Sequence, residues 1–434
     1  MTMTTNDITA KLQQAIGLLE QRFFEREELI RLLLLGVLSS ENVLMVGPPG
    51  TAKSQLARTL AELFGGGKFF DYLLTRFTTP DEIFGPVSLQ RLKQDEYVRR
   101  TDGYLPAADF AFLDEIFKAN SAILNSLLSI LNERMFFNGG DKQLVPLVFL
   151  MAASNELPEE NEQLAALYDR FLLRYEVEYL KTIASYERMF DAPSGPLPAL
   201  LSVRDILDIR ERAERVELPE PMVYMLFQLK TALEENEYVL SDRRWKKIGT
   251  VWRTSAALHG RSAVSVWDTV FTPHMLWDFP EDLGPLRELF DGVFQEALKR
   301  EMERELPLEE YDRIARKWLE REDELHSFQF KRELGASMPK EAAERLRRQL
   351  DECRAELEDA ARALAKKLTA WQQREQQLAD WVRAQNVLLL HPDAYAVKFS
   401  RLRILGERTL QTLQGLYRTI NDKDIPGFAY DYTL

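Results

Sequence analysis

The sequence predicts an α/β protein: a phosphate-loop αβα core on a parallel sheet, followed by helical segments. Three observations carry that expectation. The apolar run Val43 to Val46 leads into Gly47-Pro48-Pro49-Gly50-Thr51-Ala52-Lys53-Ser54, and an amphipathic stretch follows, giving strand, loop and helix in order. Phe110 to Leu113, largely apolar, ends in Asp114-Glu115, as a buried parallel strand delivering carboxylates to its C-terminal edge does. Beyond about residue 300, dense mixed charge and an apolar heptad mark a helical C-terminal region.

Taken in order, residues 8 to 40 show helical periodicity. Leu32 to Leu38 is too short to span a bilayer and reads as a buried helix. In the loop, Gly47 and Gly50 let the backbone curl so that successive N–H groups face an anion, and the positive end of the next helix points the same way. Lys53 can then reach β and γ phosphates and the Ser54 hydroxyl can ligate Mg²⁺, so a nucleoside triphosphate is the expected ligand. Ala52 stands where a glycine is usual, and its methyl group calls for an ordinary helical backbone. A plain Gly/Pro turn is the competing reading of this loop taken alone.

Phe69 to Leu74 reads as a strand, Thr75 to Pro86 as an irregular crossing, and 87 to 106 shows no clear pattern. About 60 residues beyond the loop, Asp114 is placed to hold the Mg²⁺ shell and Glu115 to polarise an attacking water. Ala119 to Glu133 is helical, and Met135 to Val148, centred on Asn138-Gly139-Gly140-Asp141, is a hairpin. The next strand, Leu147 to Ala153, ends at Ser154-Asn155, where Asn155 can orient water against the γ-phosphate or merely cap a turn. Arg170, in Leu167-Tyr168-Asp169-Arg170-Phe171 before the strand Leu172 to Val177, is expected at the surface. There a neighbour's nucleotide is its natural target, and a salt bridge the plainer alternative.

A helix over 186 to 190 stops at the Pro/Gly-rich stretch Asp191 to Pro198, read as a hinge. Residues 202 to 275 follow as helices, with Trp245, Trp252 and Trp267 as core anchors. Leu350, Leu357, Leu364, Trp371 and Leu378 recur every seventh residue, predicting a long helix in a hairpin or coiled coil, antiparallel to residues 300 to 330. Val387 to Leu434 is apolar enough to fold back on it. The expected domains are therefore 1–190, 191–280 and 281–434.

A chain of 434 residues with 45% hydrophobic content supports two or three cores. Its net charge of −13 argues against general adhesion to nucleic acid or anionic membrane. The single Cys353 forms no intrachain disulfide, and His259, His274, His326 and His391 show no metal spacing. With no signal peptide or membrane span apparent, a soluble protein of the cytoplasm is expected.

The ordered set GPPGTAKS, FAFLDE, AASNE and LYDRF resembles the MoxR family of AAA+ ATPases. TRFTTPDEIFGP (75–86) and GYLP (103–106) are similar to its RavA-type branch, although no equivalent of that branch's small β-rich recognition domain is legible. The resemblance covers roughly residues 10 to 280. It implies an AAA+ αβα core with a helical lid, assembled as a homo-oligomeric ring, usually a hexamer, with ATP and Mg²⁺ at subunit interfaces. On it, Lys53 and Ser54 belong to Walker A, Asp114 and Glu115 to Walker B, Asn155 is sensor 1 and Arg170 the arginine finger acting in trans. Ser241-Asp242-Arg243-Arg244 is similar to the sensor 2 motif, which favours Arg243 over Arg244. Phe24-Glu25-Arg26 lies where related proteins contact adenine, 87–106 where they carry a pore-directed insert, and the 135–148 hairpin where they carry the pre-sensor 1 hairpin. The function implied is an ATP-driven remodeller working with a von Willebrand factor A (vWA) domain partner on a client protein complex. A nucleic-acid-translocating motor and a nucleotide-gated scaffold are the alternatives.

Overall fold

In the computed structural model, residues 5–157, 162–335, 338–384, 388 and 392–432 are described. The strands, in chain order, are β1 (Val43–Val46), β2 (Phe64–Gly65), β3 (Phe69–Leu73), β4 (Phe110–Asp114), β5 (Met135–Asn138), β6 (Asp141–Leu144), β7 (Phe149–Ser154), β8 (Leu173–Glu176) and β9 (Leu201–Ser202). Five of them form the central parallel sheet, ordered β3-β4-β7-β1-β8. β1, β4 and β7 are buried almost throughout, which is why they read as continuous apolar runs rather than alternating ones.

The order places the topological switch at β1. From β1 the chain crosses to the far edge at β3 and works back through β4 and β7, and β8 then adds on the other side. Open parallel sheets bind ligands beyond the carboxyl ends of strands at such a switch. The register makes those ends level: Val46 pairs with Ser154 and with Glu176, and Leu113 with Ala152. Gly47, Asp114 and Asn155 consequently emerge along one edge.

Two further elements follow the sequence reading. The helix Glu27–Ser39 is buried from Leu29 onward apart from Arg31. β5 and β6 form the hairpin, with Asn138 opposite Asp141 and Gly139 and Gly140 both at positive φ, as a two-residue turn requires. Within 87–106, an antiparallel bridge between Val87 and Arg99 closes a small loop that carries the short helix Leu89–Leu92, and a 3-10 turn opens at Leu105. The buried Asn138 amide joins the two protrusions, accepting from the Arg99 N–H at 2.7 Å and donating to its carbonyl at 3.1 Å.

The chain divides into two compact units, Met1–Gln295 and Glu296–Leu434, the boundary falling within the helix Leu283–Glu305. The second unit bears out one expectation and extends it. Residues 311–324 lie antiparallel along the helix Lys340–Ala384, with Tyr311 under Lys367, Lys317 on Glu356 and Glu324 by Arg345, and Pro392–Asn421 is its longer antiparallel partner: Arg354 meets Asn421 and Glu375 meets Ser400. Length makes the difference. Helices Leu308–Leu319 and Glu322–Glu333 have 12 residues each and span about 18 Å, against about 67 Å for the 45-residue helix. The seam buries Leu350, Leu357, Leu364 and Trp371 as the heptad predicts, while Leu378 and His391 lie outside the described side chains and residues.

Candidate nucleotide site

The loop between β1 and the helix Lys53–Glu62 is held tightly at its root. The Gly47 N–H donates to the Ser154 carbonyl at 3.0 Å, and a Cβ on Gly47 would lie 2.1 Å from the Val177 carbonyl oxygen. Only glycine fits there. Ala52 departs from expectation: it is not helical but left-handed, with φ 63° and ψ 21°, and precedes the first helical residue. The turn that aims the loop inward needs this conformation, and for an L-residue it costs roughly 1–2 kcal/mol. Replacing Ala52 with Gly is therefore expected to stabilise the protein by about 0.5–1 kcal/mol, less than the strain because glycine loses more entropy on folding. A urea midpoint that falls would contradict this reading.

The helix Lys53–Glu62 and the ends of β4 and β7 converge on the loop. Lys53 is 6% exposed, and its ammonium donates to the carbonyls of Gly47 (2.7 Å) and Pro48 (2.9 Å) and to Asn155 Oδ1 (3.3 Å). Burial draws its pKa down, against the opposing pull of Asp114 and Glu115. The Ser54 hydroxyl donates to Asp114 Oδ2 at 3.2 Å, which pairs the two candidate metal ligands. Glu115, 7% exposed and left-handed at φ 52°, accepts from the Asn155 amide through Oε1 and faces the Lys118 ammonium at 3.2 Å through Oε2. Pro49, Gly50 and Thr51 complete the wall of a cleft of about 830 Å³ in which Lys53, Ser54, Asp114, Glu115 and Asn155 are neighbours.

Across the loop a second recess of about 410 Å³ shares Gly50–Lys53 with the first. Phe23, Phe24, Leu56, Tyr179 and Tyr186 make its lining suited to a flat heteroaromatic ring. The Phe24 ring is buried beneath the Arg188 guanidinium, and the neighbouring Glu25 carboxylate accepts from the Thr182 hydroxyl at 2.8 Å and from the Lys181 and Thr182 N–H groups at 2.8 and 2.9 Å, Thr182 being the N-cap of the helix Ile183–Phe190. Slight burial raises the Glu25 pKa, but these hydrogen bonds prevail and bring it down to about 2.

Two predicted residues stand elsewhere. Arg170 and Arg243 do not line the cleft; the Arg170 pKa is lowered first by burial and then by the Arg243 charge. Arg170 pairs with Asp169 at 3.0 Å, and its Nε has no hydrogen-bond partner among the described residues. Arg243 donates to Asn132 at 2.7 Å. Arg244, the runner-up, is structural: with the fully buried Arg174 it grips Asp278.

Sequence reasoning missed Lys118, Arg22 and the contribution of residues 192–195, all near the site only through the fold. Of Asp191 to Pro198, read as a bare hinge, Ala192 to Gly195 form part of the cleft wall.

Among the described residues no helix is long and apolar enough to cross a membrane. Residues 10–192 match the model of the MoxR domain in MoxR–vWA–β-propeller ternary systems, and residues 221–290 match an AAA lid domain. The uncharacterized protein MJ0079 of Methanocaldococcus jannaschii is 41% identical over 280 residues, 64% of this chain and 73% of that protein. Chaperone MoxR1 of Mycobacterium tuberculosis is 28% identical over 255 residues, 57% of this chain and 66% of that one. A solved structure of a candidate ATPase from Cytophaga hutchinsonii superposes with a TM-score of 0.53 at 20% identity, covering 66% of this chain and 94% of that one, and so shares the fold. The chain belongs to the MoxR family of AAA+ ATPases.

Proposed function

We propose that this chain hydrolyses ATP with Mg²⁺ in a cleft that a neighbouring copy completes, and that the resulting cytoplasmic ring, hexameric by family resemblance, remodels a client protein complex. The observation that carries the reading is the set Lys53, Ser54, Asp114, Glu115 and Asn155 around one cleft at the carboxyl edge of the sheet. Lys53 and the loop N–H groups receive the phosphates, and Phe24 with Tyr179 and Tyr186 walls the base. Asn155 fixes the Glu115 carboxylate, which takes the proton of the attacking water. The oxygen pair Ser54–Asp114 fits a hard cation such as Mg²⁺, which keeps most of its shell as water and phosphate and needs few protein ligands. When bound, Mg²⁺ neutralises phosphate charge.

Arg170 and Arg243 are read as a pair serving the neighbour's γ-phosphate. Two arginines that lie off their own subunit's cleft suit an anion brought by another copy. For Arg243 this differs from a lid arginine acting on its own nucleotide. A vWA partner is supported by the systems for which the matching family model is described, and a RavA-like placement by the motifs at 75–86 and 103–106. The domain limits 1–190, 191–280 and 281–434 belong to the same proposal.

Calorimetry tests the site. Lys53→Ala is expected to weaken ATP binding about 10- to 150-fold, the worth of a hydrogen-bonded ion at the phosphates. Unchanged affinity would remove the nucleotide from this cleft.

A further inference from the structure

Arg22 lies on the turn after the helix Thr5–Glu20 and lines both the phosphate-side cleft and the base-side recess. Among the described residues its guanidinium pairs with no acid. It donates to the Gly195 carbonyl at 2.6 Å, reaching the segment Ala192–Gly195 that walls the same cleft. A second pin holds this segment from the other flank: the Leu197 N–H donates to Glu62 Oε2 at 3.0 Å, and Glu62 also lines the cleft. Just beyond, β9 joins β2 through Leu201 and Ser202, so the strap cannot drift from its far end. Gly195 sits at φ 106°, and nothing lies within 4 Å of a Cβ built on it, so the conformation and not crowding calls for glycine.

We infer that Arg22 is a positioning residue that clasps the strap Ala192–Gly195 over the nucleotide cleft and thereby sets how fast the nucleotide leaves. This rests on the cleft being the nucleotide site. The two pins differ in chemistry. Each is a single hydrogen bond to backbone, one from a cation to Gly195 at the end of the strap and one from Leu197, two residues beyond it, to a carboxylate, and the Arg22 bond is solvent-exposed. Such bonds open and reclose without unfolding the core, and opening of this wall widens the path by which a bound ligand leaves.

The test is stopped-flow release of N-methylanthraniloyl-ADP from the full chain with Mg²⁺, chased with excess ADP. Arg22→Ala and Glu62→Ala are each expected to speed release about 5- to 10-fold, the loss of one ordinary hydrogen bond at the wall. Arg22→Lys keeps a donor for Gly195 and is expected to stay within about twofold of the unmodified chain, since it preserves that bond. Faster release in Arg22→Ala but not in Glu62→Ala would mean that Arg22 contacts the nucleotide itself, overturning the clasp. Unchanged release in both would overturn it as well, while leaving the nucleotide site intact. If the unmodified chain failed to bind the labelled ADP, the nucleotide reading would fall and the clasp with it.

Discussion

Glu115→Gln is expected to lower ATP turnover by about 10²- to 10⁴-fold while leaving ATP bound, the range for loss of a general base. The glutamine keeps the shape and can still accept from Asn155, so the cleft is preserved. What it loses is a carboxylate able to take a proton from water at a position 7% exposed, where bulk solvent is a poor substitute. Steady-state phosphate release measured beside calorimetric ATP binding separates the two effects. Turnover within a few-fold of the unmodified chain would take Glu115 out of the water-activating role and leave the Asn155 contact as mere packing.

The second large effect is expected at Arg170. Phosphoryl transfer depends on positioning and neutralisation of charge, and an arginine supplied from outside the subunit contributes about 10³- to 10⁵-fold in rate. Arg170→Ala is expected to lose turnover on that scale, read as phosphate release at saturating ATP, with ATP affinity close to unchanged because Arg170 does not line its own cleft. Arg170→Lys is expected to recover little, since a point charge lacks the planar fork of donors that a phosphate engages. A large loss of ATP affinity in Arg170→Ala would indicate that the residue acts on its own subunit's nucleotide.

Much of this site could be read from the chain because its physics is local. A strand that must be buried on both faces is apolar throughout, as β1, β4 and β7 are, and a loop that must turn its N–H groups inward is rich in glycine. The hairpin at Asn138-Gly139-Gly140-Asp141 was legible for the same reason, since two consecutive positive φ angles leave few residue choices. What stayed hidden was set by tertiary packing. The left-handed Ala52 looked like a residue that could open a helix in the ordinary way, and only its backbone in the folded loop, at φ 63° and ψ 21°, shows otherwise. Arg22 and Gly195 stand 173 positions apart, and no pattern in either segment announces their bond. The heptad of Lys340–Ala384 foretold an apolar seam but not which helix is its longer partner, because periodicity describes one face of one helix and says nothing of its partner's address.

Nucleotide pockets shared between copies make a specific demand on mixtures. Lys53→Ala subunits lack a working cleft but still offer Arg170, whereas Arg170→Ala subunits keep the cleft and lack the donor. Each alone is expected to be inactive. Mixed in equal amounts, with co-assembly verified by differently tagged chains, they are expected to regain a measurable fraction of the unmodified phosphate-release rate. Verified mixed assemblies as inactive as either variant alone would contradict a site built from two subunits.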